Sequence, residues 1–154
     1  MPAHNPNEPC RFCLIAHGQD LSHTVFEDQY SLAFLDYRPL FPGHTLLIPK
    51  QHYETLLDVP SALIEPLFTN VQLIARALEV GLGAQGSFIA INNRVSQSVP
   101  HLHIHIVPRR RKDGLKGFFW PRQRYKDERE MVEVREKLRR AIRSLKRHRT
   151  PHHG

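Results

Sequence analysis

The chain has 154 residues, enough for one domain whose core needs no disulfide staples. With 40% apolar and 8% aromatic residues it is not a disordered composition, and its longest apolar runs, such as Thr45–Pro49 and Phe88–Ile91, are far too short to cross a bilayer. The net charge of +7 is unevenly placed: residues up to Val107 hold 5 Lys/Arg against 9 Asp/Glu, and those from Pro108 onward hold 17 against 6. A basic block of this kind attracts phosphate-bearing substrates, acidic partners and nucleic acid alike, and selects none of them.

Met1–Pro9 is polar and proline-rich, without the apolar stretch of a signal peptide, so it reads as a flexible lead-in to a cytoplasmic protein. Thr24–Glu27 and Ser31–Asp36 read as a hairpin turning at Asp28-Gln29-Tyr30. Pro39–Gly43 is a loop and His44–Pro49 a short apolar strand. Over Ser61–Val80, Leu63, Leu67, Val71, Ile74, Ala75 and Leu78 recur at helical spacing, with Pro66 near the start and Gly81 as the stop. Ser87–Asn92 and His101–Val107 read as adjacent strands joined by the polar loop Asn93–Pro100. After the irregular basic stretch Arg109–Lys126, a helix near Asp127–Arg147 aligns Met131, Val134, Leu138, Ile142 and Leu145 on one stripe. This order of elements predicts an α+β domain on an antiparallel sheet.

Two segments carry chemistry. In His101-Leu102-His103-Ile104-His105-Ile106-Val107, a strand would project all three histidines from one side and set Leu102, Ile104 and Ile106 against the core. A half-buried strand with chance histidines and a metal site built by the three alone are the competing readings. Cys10 and Cys13, spaced C-x-x-C in a chain without an export signal, read as a metal clip or a redox pair. A redox pair wants the motif opening a helix in a βαβ unit, and the sequence offers no such context.

The segment His101–Val107 matches the His-φ-His-φ-His-φ-φ signature in full, and here the chain resembles the histidine triad family. The resemblance extends through Cys10-Arg-Phe-Cys13, Phe34-Leu-Asp36, Gly43-His-Thr-Leu-Leu-Ile-Pro-Lys50 and Gln97-Ser-Val99, and weakens after Arg109. It implies a five-stranded antiparallel sheet with two main helices, continued across a homodimer. The corresponding division is a lead-in over 1–9, the triad domain over 10–109 and a basic extension over 110–154.

The resemblance also assigns roles. His103 would be the nucleophile on the α-phosphorus of an AMP-type conjugate, either a phosphoramidate or a dinucleoside polyphosphate, forming a nucleotidyl-histidine. A backbone carbonyl near His101 would orient it, and His44 and His105 would flank the phosphate. Gln97, Ser98 and Asn92 would contact the phosphate and Asp36 the ribose, with Phe34, Phe12 and Phe26 as candidates for the base pocket. Relatives commonly have a longer, glycine-containing loop before the Gln, where this chain has Asn93-Arg94-Val95-Ser96, and Arg94 is a further candidate for the phosphate. Cys10, Cys13, His52 and His101 would form a structural zinc site, with no metal required for the chemistry. The rivals are a nucleotide- or RNA-binding module without turnover and a metal-binding structural protein. Nucleic-acid binding is the less favoured use of the basic tail and its aromatic cluster Gly117–Pro121, and no membrane partner is expected.

Overall fold

In the computed structural model, residues 8–116 and 123–147 are described. Gly117–Pro121 and the terminal His152 and His153 lie outside the described residues. The chain divides between Gly114 and Leu115 into two compact units.

The first unit contains α1 (Arg11–Ala16), β1 (Thr24–Glu27), β2 (Ser31–Leu35), β3 (Thr45–Pro49), α2 (Ser61–Leu82), β4 (Gly86–Ala90) and β5 (Ile104–Arg109). The strands form one sheet in the order β1-β2-β3-β5-β4, every neighbouring pair antiparallel. The fold is the expected α+β one. All five residues of β3 are buried, because both sheet faces are covered. Leu47, Ala33, Leu102, Ile104 and Ile106 pack with Leu67, Val71, Ile74 and Leu78 of α2. Leu46, Ile48, Leu32 and Phe34 pack on the opposite face with Phe12, Ile15 and Ala16 of α1. A strand enclosed on both faces reads as a continuous apolar run, which is the pattern of Thr45–Pro49.

Three features differ from expectation, each for a local reason. The helix α1 was not anticipated; its six residues are too few to show helical periodicity. It places Cys10 at its N-cap and Cys13 in its first turn, so the C-x-x-C motif does open a helix, but one that precedes an antiparallel sheet rather than joining parallel strands. The long helix runs through Pro66 and past Gly81 to Leu82, where Gly83, at φ 66°, supplies the left-handed stop. Ladder pairing of the triad segment starts at Ile104, so His101–His103 approach the sheet as a separate stretch, held by the Leu102 N–H donating to the Tyr53 carbonyl at 2.7 Å.

The first unit closes beyond Arg109. Arg109 pairs with Asp113, and the Arg110 guanidinium donates to the Leu82 and Gly83 carbonyls left open at the end of α2. The second unit contains α3 (Glu128–Arg147), none of whose residues is buried. Its N-terminus is capped by Asp127, which accepts from the Glu130 N–H at 2.8 Å. Met131, Leu138, Ile142 and Leu145 of its apolar stripe are exposed.

Candidate active site and metal centre

The loop before β3 delivers the first site residue. Gly43 adopts φ 102°, a conformation strained for any other residue, and a Cβ there would have to push the Leu82 side chain aside. The turn directs His44 inward, where it is only 4% exposed. The Leu40 N–H donates to His44 Nδ1 at 3.1 Å. A ring nitrogen that accepts is unprotonated, so the neutral ring has its proton on Nε2, 3.0 Å from His105 Nδ1. His44 therefore donates to His105, whose own proton sits on Nε2. Asp36 Oδ2 stands 3.7 Å from His44 Nε2, and Asp36 Oδ1 accepts from the Arg38 N–H at 2.9 Å.

His103 is held by a hydrogen bond and by ring contacts, one of them with His105, edge-on at 5.1 Å. Its Nδ1–H donates to the His101 carbonyl at 2.8 Å, the type of acceptor that the family resemblance implies. The Phe12 ring meets it edge-on, with centroids 5.1 Å apart. With Nδ1 protonated, Nε2 carries the lone pair. Burial holds the pKa values of His103 and His44 below that of ordinary histidine, and pushes His105 down to about 4, with His103 and His44 adding to the shift. All three are neutral at pH 7, the form in which imidazole is nucleophilic.

His103 and His105 line a cavity of about 280 Å³ together with Ser98, Asp36, Phe12 and Phe34. The mouth contains three residues that sequence reasoning missed as site residues. They are Tyr37, with the Arg11 and Arg38 guanidinium carbons 5.6 Å and 5.4 Å from its ring centroid. Arg11 was hidden between the two cysteines, and Tyr37 and Arg38 followed Asp36 in what read as a plain loop.

Other candidates lie elsewhere. Phe26 packs with the α2-side cluster, because its register partner Ala33 faces that way, whereas Phe34 faces α1. The Gln97 amide donates to the Glu54 carbonyl at 2.6 Å and accepts from the Arg94 N–H at 2.8 Å, so it braces the loop. Asn92 and Arg94 are exposed and do not line this cavity. His44 does not line it either and reaches it through His105.

A second cluster adjoins the first through His101. Cys10 and Cys13 Sγ each stand 3.5 Å from His101 Nδ1, Cys13 Sγ lies 3.3 Å from His52 Nδ1, and the two Nδ1 atoms are 3.2 Å apart. His101, fully buried, donates its Nε2–H to the Pro49 carbonyl at 2.9 Å, which fixes the lone pair on Nδ1, facing the thiols. Burial pushes the His101 pKa down to about 4, and burial and Cys10 push the Cys13 thiol up to about 11. Two imidazoles and two cysteine sulfurs closing on one point form a group that could hold a metal ion.

The HIT domain family matches residues 17–112. The chain belongs to the HIT family. Among HIT relatives, the adenylylsulfatase HINT3 of Arabidopsis thaliana is 37% identical over 108 residues, 69% of this chain and 55% of that protein. The crystal structure of a HIT family member from Bacillus subtilis aligns with a TM-score of 0.77 at 34% identity, covering 86% of this chain and 96% of the other. A zinc-bound histidine triad protein from Mycobacterium smegmatis aligns at 0.66 with 38% identity, covering 88% and 96%. Among the described residues, no helix of this HIT protein is long and apolar enough to cross a membrane.

Proposed function

We propose that this HIT protein is a nucleotide hydrolase or transferase that cleaves AMP-type conjugates at the α-phosphorus through a covalent nucleotidyl-His103. The observation that carries the reading is the His103 Nδ1–H on the His101 carbonyl at 2.8 Å, which leaves the Nε2 lone pair of a residue lining the cavity free to attack. The new bond is Nε2–phosphorus, and the bond to the leaving group breaks with its electron pair. Water or another acceptor then displaces the histidine, so one difficult displacement becomes two easier ones. His105, whose Nδ1 is occupied by His44, offers its Nε2–H to the phosphate or the departing atom, and Ser98 offers a hydroxyl. Asp36 would accept from the ribose hydroxyls, and Phe12 and Phe34 would face the base.

The dimensions of the cysteine–histidine cluster favour zinc. Bonds of about 2.3 Å to sulfur and 2.0–2.1 Å to nitrogen put neighbouring tetrahedral donors about 3.3–3.8 Å apart. Four of the six donor pairs here stand 3.2–3.5 Å apart, and all lie within 4.8 Å of one another. Such a site is closed and architectural, joining α1 to the segment ahead of β5, and the chemistry draws on histidines rather than metal. The relative named as an adenylylsulfatase supports a nucleotidyl conjugate as the substrate. A homodimer extends the same reading: β4 is a sheet edge, and Ile89 on it and Leu73 and Val80 on α2 are exposed.

The test is a screen of AMP conjugates, phosphoramidates and dinucleoside polyphosphates included, with wild type and His103→Ala in parallel. We expect the variant to lose at least about two orders of magnitude in turnover while still binding AMP. Equal turnover by the variant would remove the nucleophile assignment.

A further inference from the structure

The His105 ring meets the His103 ring edge-on at 5.1 Å, and two further contacts on that ring come from residues of the cysteine–histidine cluster or next to it. One is the His101 carbonyl, 2.8 Å from Nδ1. The other is the Phe12 ring, edge-on at 5.1 Å, on the residue before Cys13. Phe12 also meets the His101 ring edge-on at 6.0 Å, and His52 does so at 4.9 Å. Residues 101–103 precede the β5 ladder, so sheet pairing does not hold them. Main-chain anchorage there rests on the His101 N–H to the Val99 carbonyl and the Leu102 N–H to the Tyr53 carbonyl. The remaining constraint on the carbonyl is the His101 side chain, whose Nε2–H is tied to the Pro49 carbonyl at 2.9 Å and whose Nδ1 ends among Cys10, Cys13 and His52.

We propose that Cys10, Cys13 and His52 are positioning residues for the nucleophile: by gripping a tetrahedral divalent metal together with His101, they fix the carbonyl and the phenyl ring that aim His103 Nε2. The inference rests on the function proposed above. It assigns the cluster a part in turnover, where an architectural role alone would affect only the amount of folded protein. Without the metal, the His101 side chain keeps only its Pro49 tether, the position of the His101 carbonyl is less tightly defined, and the His103 proton can exchange between Nδ1 and Nε2. A ring protonated on Nε2 has no lone pair facing the phosphorus. Supporting groups one layer removed from a reacting or ligating atom commonly change rates or affinities about 10–100-fold, and a displacement of about 1 Å can cost roughly 100-fold.

The experiment compares the full chain loaded with zinc, stripped with a chelator and reloaded with cadmium, alongside His52→Ala and His52→Cys. Metal content, thermal melting, kcat and KM for an adenosine phosphoramidate, and ¹⁵N resonances of the histidine rings are measured on each. The zinc form should hold His103 in one Nδ1–H tautomer. The stripped protein and His52→Ala should lose about 10–100-fold in kcat per folded molecule, with KM within about threefold, and show mixed His103 tautomers. His52→Cys, which restores a four-donor set of a kind that zinc accepts, should recover part of the loss. If the stripped chain fails to fold, the cadmium form decides: its longer bonds should shift the His103 ring signals and lower kcat in a folded protein. An unchanged tautomer and kcat in folded stripped or cadmium protein would overturn the proposal, as would losses that track only the unfolded fraction. If the zinc form turns over no conjugate, the proposed function fails, and the ring resonances still decide the positioning claim.

Discussion

The two histidine clusters use one residue type for opposite ends, and the difference lies in what the second ring nitrogen of each histidine does. At the cysteine cluster, His101 gives its proton to the Pro49 carbonyl, and its Nδ1 lone pair faces His52 Nδ1 and two sulfurs at 3.2–3.5 Å. At the cavity, a backbone N–H fills His44 Nδ1, and the proton on His44 Nε2 fills His105 Nδ1. Asp36, His44 and His105 lie close enough together to suggest a metal. The direction of their hydrogen bonds argues against it, because the His44 nitrogen that would bind the ion already carries a proton. Converging lone pairs make a chelator, whereas donors arranged head to tail make a proton-holding array.

The comparison can be tested from its strongest element downward. Replacing His103 removes the nucleophile, with the loss of about two orders of magnitude given above. His44→Ala should come next, a fall of about 10–100-fold in kcat with KM nearly unchanged, since His44 reaches the cavity only through His105. A large rise in KM instead would place His44 against the substrate. Gly43→Ala, which must push Leu82 aside and hold φ at 102°, should cost about 1–3 kcal/mol in a urea titration and displace His44.

Acid should weaken both clusters, since burial pushes His101 and His105 each down to about 4. His105 has its folded pKa pushed down to about 4, so the unfolded chain, with histidine near its ordinary value, binds more protons between those limits. Stability from this group is complete above pH about 6.5 and declines as pH falls toward 4, read as a falling Tm whose slope His105→Gln should reduce, His101 supplying the rest. The smallest effect belongs to a residue outside both clusters. Arg94 has φ 67°, and Arg94→Gly should raise stability by about 0.5–1 kcal/mol without altering kcat.

Much of this was legible in the sequence because it depends on short-range periodicity. Alternation over Leu102, Ile104 and Ile106 gave the buried face, and all three enter the core beneath α2. The continuous run of β3 and the 3–4 spacing of α2 were equally readable. What escaped depends on pairing between distant segments. Phe26 was grouped with Phe34, yet the register shift between Thr24 and Phe26 turns it to the other face, and one strand alone does not record its neighbour's register. Gln97 resembled a phosphate contact until the Glu54 carbonyl, 43 residues away, was found on its amide. His44 is a site candidate in the sequence, but its burial and its hydrogen bond to His105 depend on three-dimensional packing. The helix α1 was too short to announce itself, and with it went the position of Arg11 beside Tyr37.

The groups that set the protonation of His44, His101 and His103 are the Leu40 N–H, the Pro49 carbonyl and the His101 carbonyl, all of them main chain. Alanine scanning leaves such groups in place, so the Leu40 and Pro49 interactions would pass through a side-chain survey as silent positions. Their contribution becomes visible only when the peptide linkage itself is altered, for example by an amide-to-ester exchange that deletes the Leu40 N–H or weakens the Pro49 carbonyl as an acceptor.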